Sequence, residues 1–229
     1  MCAARTHALT FKRLLTPGQV SLLRSVAGSA LQRHLIFTGG TALACVYVGH
    51  RYSEDLDLFS RRRLDAGLLL PWQRRISRQG FRVERQVIGA RHRYLVRPPR
   101  SRTPVRMDFV EFPFDSIEPP AWVPELGLHV DSLLDLAVNK VHALTGRLEA
   151  KDFVDLYVLC QHEPTWQWNT LLKWVRLKFD LHVDPLAFAH HLAQVGTFTV
   201  WPRLARRLPR STIRRFFLDA AKRLGQAAW

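Results

Sequence analysis

The chain has 229 residues, enough to bury roughly 70% of its unfolded surface in one large domain or two small ones. Its apolar content of 47% is that of a globular protein, and no uncharged run approaches the roughly 20 residues that a membrane span needs. Against 19 acidic residues stand 34 Lys and Arg, a net charge of +15 that points to a polyanionic partner. Arginine is concentrated in two stretches. There are fourteen from Arg61 to Arg106 against Asp65 and Glu84, and seven from Arg203 to Arg223 against Asp219. Guanidinium forks suit phosphate, so nucleic acid is the expected partner. Cys2, Cys45 and Cys160 are scattered and odd in number, which excludes a disulfide framework or a zinc cluster and suits a reducing cytoplasm. Residues 1–53 lack any acid, as transit peptides do, but they contain a glycine motif whose removal would destroy the site described below.

In chain order, Val20, Leu23, Val26, Ala27, Ala30 and Leu31 repeat at helical spacing, and the helix should end near His34. Leu35-Ile36-Phe37-Thr38 reads as a strand stopped by Gly39-Gly40, with a helix following from Thr41 to Val48. Asp55-Leu56-Asp57-Leu58-Phe59 alternates with period two and reads as the next strand. A helix over 65–78 precedes strands over 81–87, 94–96 and 105–112, and Pro98, Pro99 and Pro104 mark an exposed connection between the last two. Pro113, Pro119, Pro120 and Pro124 cluster where composition changes, and helices are expected over 131–145, 150–161, 169–178, 185–194 and 211–224. The expected organisation is thus an α/β domain over 1–115 and an all-α domain over 116–229.

The chemistry begins with Phe37-Thr38-Gly39-Gly40-Thr41, followed after thirteen residues by Asp55-Leu56-Asp57. Side chains at i and i+2 of a strand share a face, so the two carboxylates converge while Leu56 and Leu58 enter the core. That pair suits Mg²⁺, a hard cation that commonly takes one or two carboxylates together with phosphate oxygens. Glycines let a backbone approach a triphosphate, and Thr41 at a helix start adds a hydroxyl and aligned amides. Walker A and G-x-G-x-x-G sequences are absent. Asp108, embedded in Arg106-Met107-Asp108-Phe109-Val110, is the candidate third carboxylate of a two-ion site, for which Mn²⁺ is an alternative occupant; Glu111 has the opposite parity and ranks second. Each feature alone has a plain alternative: a lone D-x-D is common in turns, and Asp108 could simply pair with an arginine. Their combination points to a nucleotidyltransferase domain like that of DNA polymerase β, with a mixed sheet, followed by helices.

Gly39-Gly40-Thr41-Ala42-Leu43 and Arg51-Tyr52-Ser53-Glu54-Asp55-Leu56-Asp57-Leu58-Phe59 resemble the signature of the AbiEii/AbiGii nucleotidyltransferase toxins, which include the mycobacterial MenA-type toxins. Leu136-Ala137-Val138-Asn139-Lys140-Val141-His142-Ala143-Leu144 is similar to that family's lysine-bearing helix. Arg147 with Lys151-Asp152-Phe153-Val154-Asp155-Leu156-Tyr157 resembles its R-x-x-x-[KR]-D-x-x-D-x-Y element. The resemblance implies an enzyme that takes a nucleoside triphosphate, uses Asp55, Asp57, Asp108, Lys140 and Asp152 in catalysis, and binds phosphate with Lys140 and Lys151. It also implies an RNA acceptor, the 3′ end of tRNA foremost, and a cognate antitoxin as partner. Asp155 could instead be a structural partner of Lys151 or Arg147. Lys140 lies on an apolar helical stripe, where a triphosphate or a stem reaching to water would each account for it.

Arg61-Arg62-Arg63, directly after the D-x-D strand, are candidates for guiding an acceptor strand. His190-His191 lacks metal-ligand spacing, and Trp166, Trp168 and Trp174 read as core or interface anchors rather than base-stacking platforms. Two other classes compete: an enzyme modifying a protein or small-molecule hydroxyl, and a non-catalytic RNA-binding module.

Overall fold

A computed structural model describes residues 14–226; Cys2 lies outside them. The chain divides into two compact units, Met1–Tyr47 with Ser53–Ser132, and Val48–Tyr52 with Leu133–Trp229.

The first unit is built on a seven-stranded mixed sheet in the order β3-β4-β5-β2-β1-β7-β6, the strands being Ile36–Thr38 (β1), Leu56–Ser60 (β2), Arg82–Ile88 (β3), Arg91–Arg97 (β4), Val105–Glu111 (β5), Ala121–Val123 (β6) and Leu128–Val130 (β7). The helices α1 (Pro17–Ala27) and α3 (Ala66–Arg78) contribute Leu22, Leu23, Val26, Trp72 and Ile76 to a core shared with Phe37, Leu56, Leu58, Tyr94, Met107 and Phe109 of the sheet. Trp72, Tyr94 and Phe109 meet edge to face with centroids 5.1–5.4 Å apart, a favoured arrangement for aromatic quadrupoles. Because side chains alternate along strands, the opposite parity presents Asp57, Asp108 and Arg93 on the other face, and these form the site.

The long first helix expected to end near His34 is broken. Gly28 ends α1, and Ser29 caps a separate 3₁₀ turn over Ala30–His34. Strand β4 runs from Arg91 rather than from Tyr94, because Gly89, at φ 56°, lets β3 and β4 close as a hairpin with Ile88 opposite Arg91. Residues 121–130, expected among the helices, instead form β6 and β7, and β7 pairs in parallel with β1. Residues 116–132 therefore cluster with the sheet. The proline cluster made this stretch look like a linker, and strands of three residues are too short to give a periodic signal.

The second unit is helical: α4 (Leu133–Gly146), α5 (Ala150–His162), α6 (Trp168–Phe179), α7 (Pro185–Ala193) and α8 (Arg210–Gln226), joined by the segment Val48–Tyr52. Phe153 packs edge to face on Phe217 and Phe198, with Trp168 tilted against Phe188 and Phe217. Trp168 is thus half-buried against these rings. Segment 50–52 is bridged by the chain near Leu204, with Tyr52 N–H donating to the Arg203 carbonyl (2.9 Å) and Ala205 N–H to that of His50 (2.9 Å).

Candidate active site

The site of the first unit is a row of side chains across one face of the sheet. Thr38 stands opposite Asp57, Asp57 opposite Asp108, Asp108 opposite Arg93 and Arg93 opposite Gln86. Since directly opposed residues share a face, Asp57 and Asp108 are neighbours on it. Asp55 has the parity of Asp57 and lies one residue before β2 begins.

Gly39 closes the row from the β1 side. The chain leaves β1 at Thr38 and enters α2 (Gly39–Ala42), which continues as a π-helical turn over Leu43–Val48. Gly39 has φ +76°, and a Cβ there would lie 2.3 Å from Asp57 Oδ2. A side chain is therefore excluded twice, by backbone conformation and by the carboxylate. The glycine turn and the D-x-D strand meet at this point.

The approach to Asp55 is held by groups of two other elements. Gln19 completes a capping box with Thr16 at the start of α1, and its Nε2 donates to the carbonyls of Ser53 (3.0 Å) and Glu54 (3.1 Å). The Thr41 hydroxyl donates to the Asp55 carbonyl and is buried, so in this structure Thr41 fixes the D-x-D backbone. Thr38 in turn donates to Asp131 Oδ2 at 2.5 Å.

The carboxylates are surrounded by arginines. Arg93 makes a bidentate contact with Asp108 at 3.0 and 3.1 Å, and Arg91 approaches the same carboxylate at 3.5 Å. The hydrogen bonds that Arg93 donates to Asp108 are the main reason that its guanidinium is held above its ordinary pKa. Arg106, on the same strand face as Asp108, pairs with Asp55. Asp57 and Asp108 thus stand opposite one another on one face, with Asp55 at the parity of Asp57, yet no group of three His, Cys, Asp or Glu side chains poised to hold a metal is present among the described residues. Asp108 and Asp55 are engaged by guanidinium groups. Glu111 points the other way, as its parity requires, and accepts from Leu64 N–H at 2.9 Å. Arg61, Arg62 and Arg63 are exposed, and Arg61 pairs with Asp115 at 3.2 Å.

The remaining motif residues lie in the second unit. Lys140, buried in α4, pairs with Asp152 at 2.7 Å and Asp155 at 2.6 Å, both in α5. Arg51 adds a bidentate contact to Asp155 (2.6 and 2.8 Å), His50 Nε2 lies 2.7 Å from the same carboxylate, and Arg147 reaches Asp152 at 2.9 Å. Burial alone would discharge these groups, but the opposite charges outweigh it. Lys140 is held above its ordinary pKa, Asp152 below and Asp155 well below. For His50 burial wins over the Asp155 contact and lowers its pKa. Lys151 sits at the surface, paired with Glu149 at 2.7 Å. Asp155 is therefore bound to Lys140, Arg51 and His50 rather than to Lys151 or Arg147.

Sequence reasoning gave no role to Gln19, His50, Arg51, Arg91, Arg93, Arg106 or Asp131. The strand parity of Arg106 with Asp108 was a signal available for one of them. For Gln19 and Asp131 no local pattern could have done so, since their contacts join distant parts of the chain.

An uncharacterized protein of Aquifex aeolicus (strain VF5) is 27% identical over 174 residues, covering 73% of this chain and 77% of its own. JHP933 from Helicobacter pylori has a similar fold, with a TM-score of 0.58 at 16% identity over 97% of this chain and 94% of that one. A second H. pylori structure gives 0.59 at 16% identity over 97% and 96%. The profile of the nucleotidyl transferase AbiEii toxins of type IV toxin–antitoxin systems matches residues 21–229. With a glycine turn against a D-x-D strand in the first unit and the lysine and aspartate helices in the second, the chain belongs to the AbiEii nucleotidyl transferase toxin family.

Proposed function

We propose that this nucleotidyltransferase moves a nucleotide from a nucleoside triphosphate onto a hydroxyl of RNA, with the 3′ end of tRNA as acceptor and Mg²⁺ as cofactor. The observation that carries the reading is the placement of Gly39 directly against Asp57 in the row that also holds Asp108. Triphosphate chemistry needs carboxylates beside a backbone free of side chains. The net charge of +15 supports a polyanionic acceptor over a small molecule or a protein hydroxyl.

Asp55 and Asp57 are the residues that would hold Mg²⁺, and Asp108 would complete a two-ion site. The donor set fits, since Mg²⁺ requires only one or two carboxylates when phosphate oxygens supply the rest. When bound, the ion neutralises charge on the triphosphate and lowers the pKa of an attacking hydroxyl. The protein's part is positional. Thr41 and Gln19 hold the backbone around Asp55, while Gly39 keeps the space beside Asp57 open. Arg93 and Arg106, now on Asp108 and Asp55, are placed to exchange those carboxylates for phosphate oxygens. In the reaction an acceptor oxygen bonds to the α-phosphorus, the bond from that phosphorus to the bridging oxygen breaks, pyrophosphate leaves, and the acceptor proton passes to solvent or a carboxylate.

In the second unit Lys140 pairs with Asp152 and Asp155 and so ties α4 to α5, and the resemblance implies a catalytic part for Lys140 and Asp152 from that position. Lys151, at the surface, is the lysine available to phosphate. An antitoxin protein is the expected cellular counterpart, as the family implies. The test is to incubate the purified protein with total RNA and each of the four triphosphates in turn and sequence the RNA 3′ ends. Untemplated addition to tRNA is expected. Labelling confined to protein or small molecules would overturn the choice of acceptor.

A further inference from the structure

The hairpin of β3 and β4 carries, on the same face as the carboxylate row, arginines beyond Arg91 and Arg93, which meet Asp108. Arg91, Arg93 and Arg97 share this face by parity, and register adds Arg82 opposite Arg97 and places Leu95 opposite Arg106. The exposed Arg82 and Arg97 have no ion pair among the described residues, although Glu84 lies on the same face. From the Asp108 row the patch runs four residues along β4, about 14 Å at 3.4 Å per residue, and one strand further to β3, the sheet's edge strand. Between Arg93 and Arg97 the patch exposes Leu95, an apolar surface between cations.

We infer that this face of the β3–β4 hairpin is where the acceptor RNA lies, its phosphates on Arg82 and Arg97 and its 3′ end directed along β4 toward Asp108 and Asp57. The inference rests on the proposal that the acceptor is RNA and adds the surface that receives it. Two features favour it over a general solubilising charge. The arginines continue in register from the carboxylate row, and they flank an exposed apolar side chain, Leu95; a cationic strip that tracks the backbone is part of how single strands are held without sequence readout. An edge strand also needs charge to resist pairing with other chains, and that alone would explain arginines on β3. The experiment separates the two.

Binding of a fluorescent single-stranded RNA is measured by anisotropy across a salt series for three forms of the full chain. These are the unaltered protein, Arg82→Gln/Arg97→Gln, and Arg74→Gln/Arg78→Gln. The last pair is exposed on α3, the helix that covers the opposite sheet face, and removes the same charge. Loss of two phosphate contacts should flatten the slope of log affinity against log salt by about 1.4 for a single strand, and weaken binding at least about tenfold at low salt. The α3 variant should stay within about twofold, and thermal melting of each form confirms folding. Equal weakening by both double variants would overturn the assigned surface while leaving RNA as acceptor. If the unaltered chain binds no RNA, the acceptor proposal itself fails.

Discussion

Gly39 and Asp57 are packed so that a single methyl on the glycine would collide with the carboxylate, 2.3 Å from Oδ2. The two residues are eighteen positions apart in sequence, and their contact is the point where the glycine turn becomes part of the site. Gly39→Ala forces either the turn or the carboxylate to move. At φ +76° the alanine adds backbone strain of about 1–3 kcal/mol, and displacement of the carboxylate by about 1 Å should lower kcat on the order of 100-fold. Steady-state kinetics beside a thermal melt separates the two effects.

Thr41 tests whether its hydroxyl positions the strand or meets the nucleotide. It donates to the Asp55 carbonyl, and Thr41→Val removes that bond while keeping shape. The expected stability loss is about 0.5–1.5 kcal/mol, with kcat reduced and KM for the triphosphate unchanged. A raised KM with unchanged kcat would make Thr41 a phosphate contact.

The buried cluster of the second unit should be sensitive to loss of its central anion. Asp155 serves Lys140, Arg51 and His50, so Asp155→Ala leaves two cations buried without it. Stability from urea denaturation should fall by about 3–5 kcal/mol.

How far these features were legible in the sequence depends on whether they are local. The alternation of Asp55 to Phe59 gave the strand and the inward leucines, and the glycine pair gave the turn, because each depends on neighbours in the chain. The mixed sheet followed by helices was likewise readable, and it belongs to the expected fold class. That Asp108 could meet an arginine was readable, but which arginines meet Asp108 and Asp55 was not, since that requires knowing that β5 lies between β4 and β2. Lys140 showed the same limit. Its apolar helical stripe signalled burial, but its actual partners, twelve and fifteen residues on, follow from the packing of α4 on α5. The bond from Arg51 to Asp155 spans 104 positions and has no local signature at all.

His50 gives the protein a pH signature. Its pKa is lowered from 6.5 chiefly by burial, so the folded chain binds fewer protons than the unfolded chain below that value. Stability therefore rises with pH through this window and is lost as pH falls below 6.5, with a slope of at most about 1.4 kcal/mol per pH unit. His50→Gln should flatten the profile from pH 6.5 towards 5 in urea titrations; an unchanged slope would place the proton uptake elsewhere.

The central claim is that Asp57 serves transfer of the α-phosphoryl nucleotide. Parallel incubations with α-labelled and γ-labelled triphosphates, RNA and Mg²⁺ test it directly, using the unaltered chain and Asp57→Asn. Label is expected in RNA from the α position only, abolished by a chelator and reduced at least about 1,000-fold in Asp57→Asn, a variant that still melts cooperatively. Full activity in Asp57→Asn, or label delivered from the γ position, would contradict it.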